Sequence, residues 1–194
     1  MRKIFIICSL ALSILACTRI EEEPEVGSLT ELTITAYKEI DETKTSQQTD
    51  GSVFWSPGDA VSLFFRSGEN GGNKFIAQNI APSEIAEFKG SIDGFAGGGE
   101  SSGGEYYFWG IYPYSQENSC DGSTITTRLS ENQIGKEDTF SDNTFPTMAR
   151  SKGLSLGFFN ICGGISFKVT RDDIKTVKLK GNSDEDVAGK VKVG

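Results

Sequence analysis

The side chains of this 194-residue chain with chemical potential are four cysteines, at positions 8, 17, 120 and 162, and 27 aspartates and glutamates; histidine is absent. Without histidine there is no Ser-His-Asp or Cys-His nucleophile and no histidine-based zinc site, so base catalysis falls to Asp, Glu, Lys or Tyr. Glycoside hydrolysis needs two carboxyls at a set separation, and 27 acids single out no pair. Asn182, Asp184 and Asp186 have the spacing that opens a calcium loop, but Val187 stands where its glycine belongs and Val193 where its bidentate glutamate belongs. A solvated turn is the plainer reading there. The glycine-rich stretch from Gly94 to Gly104 fits neither phosphate-binding spacing and reads as a loop. The expectation is a protein that is not an enzyme, with no cofactor and no metal. The formal charge of −8 argues against a nucleic-acid partner, which calls for a basic face.

Cys17 has a different setting. Met1-Arg2-Lys3 is a basic start, and Ile4 to Leu15 is an almost unbroken apolar stretch. It is shorter than the ~20 residues of a membrane span and fits the apolar core of a signal peptide. Leu12-Ser13-Ile14-Leu15-Ala16-Cys17 then resembles the bacterial lipobox, in which cleavage precedes a cysteine that takes lipid. The alternative is a plain secretory signal with an incidental cysteine. The resemblance implies acyl chains on Cys17, and several chains anchor to a membrane far more firmly than one. Residues 1–16 are then the signal and residues 17–28 a lipidated tether, with Glu21, Glu22, Glu23 and Glu25 in it. That acidic run is a solvated spacer, and it also resembles the export signals of lipoproteins that reach the outer face of the outer membrane. An outer-membrane, cell-surface location is the expectation, with the membrane as a partner through Cys17.

Cys8 leaves with the signal, and Cys120 and Cys162 remain as an even pair in an oxidising compartment. Joined, they close a loop of about 42 residues, which is worth ~4 kcal/mol in the chain-entropy view. They are a candidate disulfide; the alternative is two free thiols, one in a polar turn and one in a strand.

From residue 29 onward, period two dominates. Leu32, Ile34 and Ala36 alternate with polar neighbours, as do Val61, Leu63 and Phe65, then Ala86, Phe88 and Ile92, and then Leu154, Leu156 and Phe158. Ile161, Gly163, Ile165, Phe167 and Val169 continue the pattern; Val177 with Leu179 makes a short run, and Val187 to Val193 another. Tyr106 to Tyr112 is apolar on both faces and should be a central strand closed by Pro113. Turn residues separate the runs, at Asp50-Gly51, Ser56-Pro57-Gly58-Asp59, Asn70-Gly71-Gly72-Asn73, Asp121-Gly122 and Gly181-Asn182. About ten short strands with such turns predict an all-β antiparallel sandwich over 29–194.

Five segments in order are similar to the fimbrillin family, the lipoprotein precursors of a class of bacterial surface fimbriae. They are Thr43-Lys44-Thr45; Phe54 to Phe64, with Trp55, Pro57, Gly58 and Asp59; Tyr106 to Tyr114, ending Tyr112-Pro113-Tyr114; Phe145-Pro146-Thr147-Met148-Ala149; and Leu154 to Val169. Asn160 departs from the pattern, since relatives often carry histidine there. The resemblance implies a transthyretin-like sandwich of Greek-key type, usually two per subunit, so that 29–194 would be the first domain of a longer one. It also implies partners: other fimbrial subunits, joined by β-strand addition after a protease removes a leading strand. Leu29 to Tyr37 is the candidate leading strand, and Lys38 and Lys44 are the nearest basic residues for cleavage. Read from the residues alone, Trp55, Pro57, Gly58, Asp59, Tyr112, Pro113 and Tyr114 are architecture, with Pro57-Gly58 setting a tight turn and Asp59 accepting its amides.

Two functions of different class follow. One is a structural surface lipoprotein serving fimbrial assembly or cell adhesion. The other is a β-sandwich binding module that captures glycans or host proteins, which would expose Trp109, Tyr112 or Tyr114 in a row.

Overall fold

A computed structural model describes residues 29–38, 54–65, 69–93, 107–135, 143–165, 167–183 and 185–194. The signal, the tether with Cys17, the Thr43-Lys44-Thr45 segment and the glycine-rich stretch lie outside them.

The described chain is all-β. Its strands are β1 (Leu29–Lys38), β2 (Ala60–Phe64), β3 (Glu69–Asn70), β4 (Asn73–Ala77), β5 (Ile85–Asp93), β6 (Phe108–Tyr112), β7 (Ser119–Cys120), β8 (Ile125–Leu129), β9 (Thr147–Ser151), β10 (Ser155–Asn160) and β11 (Gly189–Val193). Seven of them close into a barrel in the order β1-β10-β9-β6-β2-β4-β5, with β5 returning to β1. The other four form a second sheet, β11-β8-β7-β3. The expectation of an antiparallel sandwich is met at the level of all-β; the closure into a barrel comes from β1, which pairs antiparallel with β5 on one side and parallel with β10 on the other.

Two apolar clusters result. The first fills the barrel, with Ile34 and Ala36 from β1, Val61 and Leu63 from β2, Phe75 from β4, Phe88 and Ile92 from β5, and Leu156 and Phe158 from β10, around Trp55. The second lies between the outer face of the barrel and the second sheet: Phe64, Trp109, Ile111 and Met148 meet Cys120 and Ile125, with Val193 packed alongside. This explains why β6 is apolar on both faces. Phe108 points into the barrel while Trp109 and Ile111 point to the second sheet. It also explains why β2 departs from the alternation. Ser62 and Phe64 are buried as fully as Val61 and Leu63, because the second sheet covers the face that would otherwise be wet.

Two glycines are required by this geometry. Gly58 has φ +83° and takes the third position of the Ser56-Pro57-Gly58-Asp59 turn, where proline at the second position fits a type II turn. Gly110 lies under the barrel core, where an added Cβ would come within 2.7 Å of the Phe158 ring and 3.1 Å of Leu156.

Two runs of predicted strand do not form. After β10 the chain from Ile161 to Ala188 carries no strand among the described residues. Ile165, Phe167, Val169, Val177 and Leu179, which alternate correctly, are between 45% and 68% exposed. Alternation marks which side chains share a face, but a strand also needs a neighbour for its amides and carbonyls. The closed barrel has no free edge, and among the described residues this segment pairs with neither edge of the second sheet.

Candidate functional site

Among the described residues, four of the segments that resemble the fimbrillin family bring side chains together around Trp55 and Lys38: Trp55 with Asp59, Tyr112, Thr147 and Phe158. Trp55 enters from a single antiparallel bridge with Ser83, its amide donating to the Ser83 carbonyl at 2.7 Å and its carbonyl accepting from the Ser83 amide at 3.0 Å. Asn79 Nδ2 donates to the same Trp55 carbonyl at 2.8 Å. The indole, 1% exposed, meets Phe88, Phe158 and Tyr112 edge to face at centroid distances of 5.0, 5.1 and 5.7 Å. This is the favoured geometry for aromatic pairs. Trp55 Nε1 is buried without a hydrogen-bond partner.

The turn that follows is held by Asp59. Its amide donates to the Ser56 carbonyl at 3.1 Å, and its carboxylate Oδ2 accepts from the Ser56 amide at 2.8 Å. Its other oxygen faces the Tyr112 hydroxyl at 3.3 Å, and the same hydroxyl lies 3.1 Å from Asn143 Oδ1. Asp59 thereby ties the turn before β2 to the end of β6. The Tyr112-Pro113 peptide bond is cis. Pro113 contributes its carbonyl to Asn118 Nδ2 at 3.0 Å, and Tyr114 donates its amide to Ala60 at 2.8 Å.

Lys38 completes the group. It is the last residue of β1, and its Nζ lies 4.3 Å from the centre of the Trp55 ring and 5.9 Å from that of Tyr112. It donates to Thr147 Oγ1 of β9 at 3.3 Å. Burial pushes its pKa down to about 8, against the opposing attraction of Asp59. One side chain at the end of β1 therefore touches the Trp55 segment, β6 and β9 together. Sequence reasoning treated Lys38 only as a basic residue near a cleavage position; half-buried against Trp55, it serves as a latch on β1. Its place just after the Leu32-Ile34-Ala36 alternation puts it on the barrel-facing register, and that was the available signal.

A second polar group joins the two layers. Asn118 is buried, with Nδ2 donating to Ser62 Oγ at 3.0 Å and Oδ1 accepting from Thr127 Oγ1 at 2.8 Å. Its carbonyl accepts from the Gly71 amide at 2.6 Å. The turn that follows begins at Asp121, whose carboxylate accepts from both the amides and the hydroxyls of Ser123 and Thr124.

The candidate disulfide is not formed. Cys120 and Cys162 are both free thiols, the first buried on β7 in the second cluster and the second half-buried just after β10. Burial raises the pKa of each. Cys120 contributes there as a small apolar side chain.

Of the aromatics that would mark a glycan-binding face, Trp109 is buried, and Tyr112 and Tyr114 are half-buried. Tyr112 is turned to Trp55, and Tyr114 lies under Lys74 at 5.1 Å. No family model, curated protein or solved structure matches the chain.

Proposed function

We propose that this chain is a lipid-anchored outer-membrane surface protein of fimbrillin type, with a structural role in fimbrial assembly or cell adhesion. On this reading the barrel and the second sheet are a variant of the transthyretin-like two-layer sandwich, and Cys17 carries the anchor. The observation that carries the proposal is the position of β1. It is the strand nearest the tether among those described, it fills the seam between β10 and β5, and it places Ile34 and Ala36 in the barrel core. Removing it would leave a groove with two strand edges and two apolar sockets, the arrangement that β-strand addition uses. The turned-in aromatics weigh against the glycan-binding alternative.

Electron microscopy of cells with and without the intact gene, labelled with antibody to this chain, tests the role. Labelled filaments or labelled filament bases, lost with the gene, are expected. Label confined to an envelope whose fimbriae and adhesion are unchanged by the deletion would overturn it. Protease shaving of intact cells tests the location, and full protection of the protein would exclude the surface.

A further inference from the structure

The barrel strands are each paired on both sides, so the long open edge among the described residues is that of β11. β11 pairs antiparallel with β8 along its length, from Gly189 opposite Leu129 to Val193 opposite Ile125. Its two faces differ. Val191 and Val193 are half-buried on the side of the second cluster, and Val193 packs against that cluster. Lys190 and Lys192 are exposed on the other side.

That outer face carries a pair of like charges in opposed positions. Lys190 stands directly opposite Arg128, and like charges in directly opposed positions destabilise a strand pair. Arg128 reaches Glu131 at 2.9 Å, an exposed contact at the far end of β8. A depression of about 360 Å³ lies beside the pair, lined by Glu117, Thr126, Thr127, Arg128 and Lys190. Residues 167–194 hold seven basic and five acidic residues, a net charge of +2 in a chain whose formal charge is −8.

We propose that the open edge of β11 is a docking edge for an acidic extended strand of a partner polypeptide, one that alternates acidic and apolar residues. Main-chain hydrogen bonds to β11 supply the pairing. The acidic side chains of the partner lie beside Lys190 and Lys192 and relieve the repulsion at Arg128, while its apolar side chains extend the second cluster past Val191 and Val193. Charged residues on edge strands commonly prevent self-pairing. Lys190 and Lys192 do this toward a second copy, whose β11 carries the same charges, and do the opposite toward an acidic strand. This edge is separate from the seam occupied by β1, so the proposal stands whether or not β1 is exchanged.

The test is fluorescence anisotropy of the purified protein with a labelled ten-residue peptide alternating glutamate and valine. A peptide with lysine in place of glutamate and an acidic peptide N-methylated at alternate amides serve as controls. The acidic peptide should bind, with at least a tenfold loss of affinity between low salt and 0.3 M salt. Lys190→Glu/Lys192→Glu should exchange the preference from the acidic to the basic peptide, with unchanged thermal unfolding as evidence of folding. N-methylation should abolish binding. Equal binding of the N-methylated peptide would reduce the effect to charge attraction and overturn the strand pairing. Binding of neither peptide, or self-association lost in the double variant, would overturn the acidic partner.

Discussion

Lys38, at the end of the strand that closes the barrel, holds its ammonium 4.3 Å over the ring of Trp55, the largest fully buried side chain of the core. The pair has a pH dependence whose sign follows from burial. An unfolded lysine keeps its proton to its ordinary pKa, 10.5, whereas the folded one loses it near 8. Below pH 8 both states are charged and the burial penalty is fully present. Between these values the unfolded state binds more protons, so stability rises with pH. Between pH 7 and pH 9 the urea stability of the protein should shift by about 1 kcal/mol in its favour relative to Lys38→Met, which shares the opposing titration of the two buried thiols.

The approach of Gly110 to Phe158 makes a second prediction. Gly110→Ala places a methyl group 2.7 Å from the Phe158 ring and should cost ~1–3 kcal/mol by overpacking. Phe158→Leu alone should cost a similar amount through lost volume. The double variant should cost less than the two singles summed, because the leucine vacates space for the new methyl. Additive urea midpoints would place the strain elsewhere.

Asn118 is the buried polar tie between barrel and second sheet. Asn118→Leu leaves the Thr127 hydroxyl without its Asn118 acceptor and removes the donor to Pro113 and one donor to Ser62, which keeps its contacts to Ser115, a loss of ~2–4 kcal/mol. Thr127→Val removes one bond and should cost about 1 kcal/mol. Hydrogen exchange should show faster exchange of β8 amides in Asn118→Leu while the β1–β5 amides stay protected.

Asp121 organises the β7–β8 turn through Ser123 and Thr124, and those donors hold its carboxyl well below the usual range. A depressed carboxyl contributes stability above its unfolded pKa and loses it as pH falls through the folded value, so the turn weakens only in strong acid. Asp121→Ala should lower the melting temperature at pH 7 and make its decline between pH 4 and pH 2 shallower.

Cys120 and Cys162 should titrate as thiols. Ellman's reagent should modify both in guanidinium, with Cys120 unreactive in the native state and Cys162 slow.

Much of the barrel was legible because burial on one face writes period two into a sequence. β1, β5 and β10 follow that pattern, and β6 declared itself by being apolar on both faces. The second sheet was legible only at β11, which lies within the alternating run from Val187 to Val193. Its strands β3 and β7 have two residues each, too few for a period, and β8 reads Ile-Thr-Thr-Arg-Leu because Thr127 faces inward to serve Asn118. The segment from Ile161 to Leu179 failed in the other direction: its side chains alternate, but its backbone pairs with no strand among the described residues. At the site, Trp55, Asp59 and Tyr112 were read as architecture and they do meet. Lys38 escaped notice because a lysine ending a strand ordinarily points to water.

The exchange of β1 is the most direct test of the strand-addition claim. A protease site placed in the segment that follows Lys38 would let the folded protein be cut without altering any described residue. A fluorescent peptide of Leu29 to Lys38 is then added in excess and incorporation is followed by size-exclusion chromatography. If β1 is an exchangeable closing strand, the peptide enters the cut protein and displaces the resident strand, and it does so faster when both carry Lys38→Ala. If the cut protein stays folded and takes up no peptide with either sequence, β1 is a permanent part of the barrel and the strand-addition reading is contradicted.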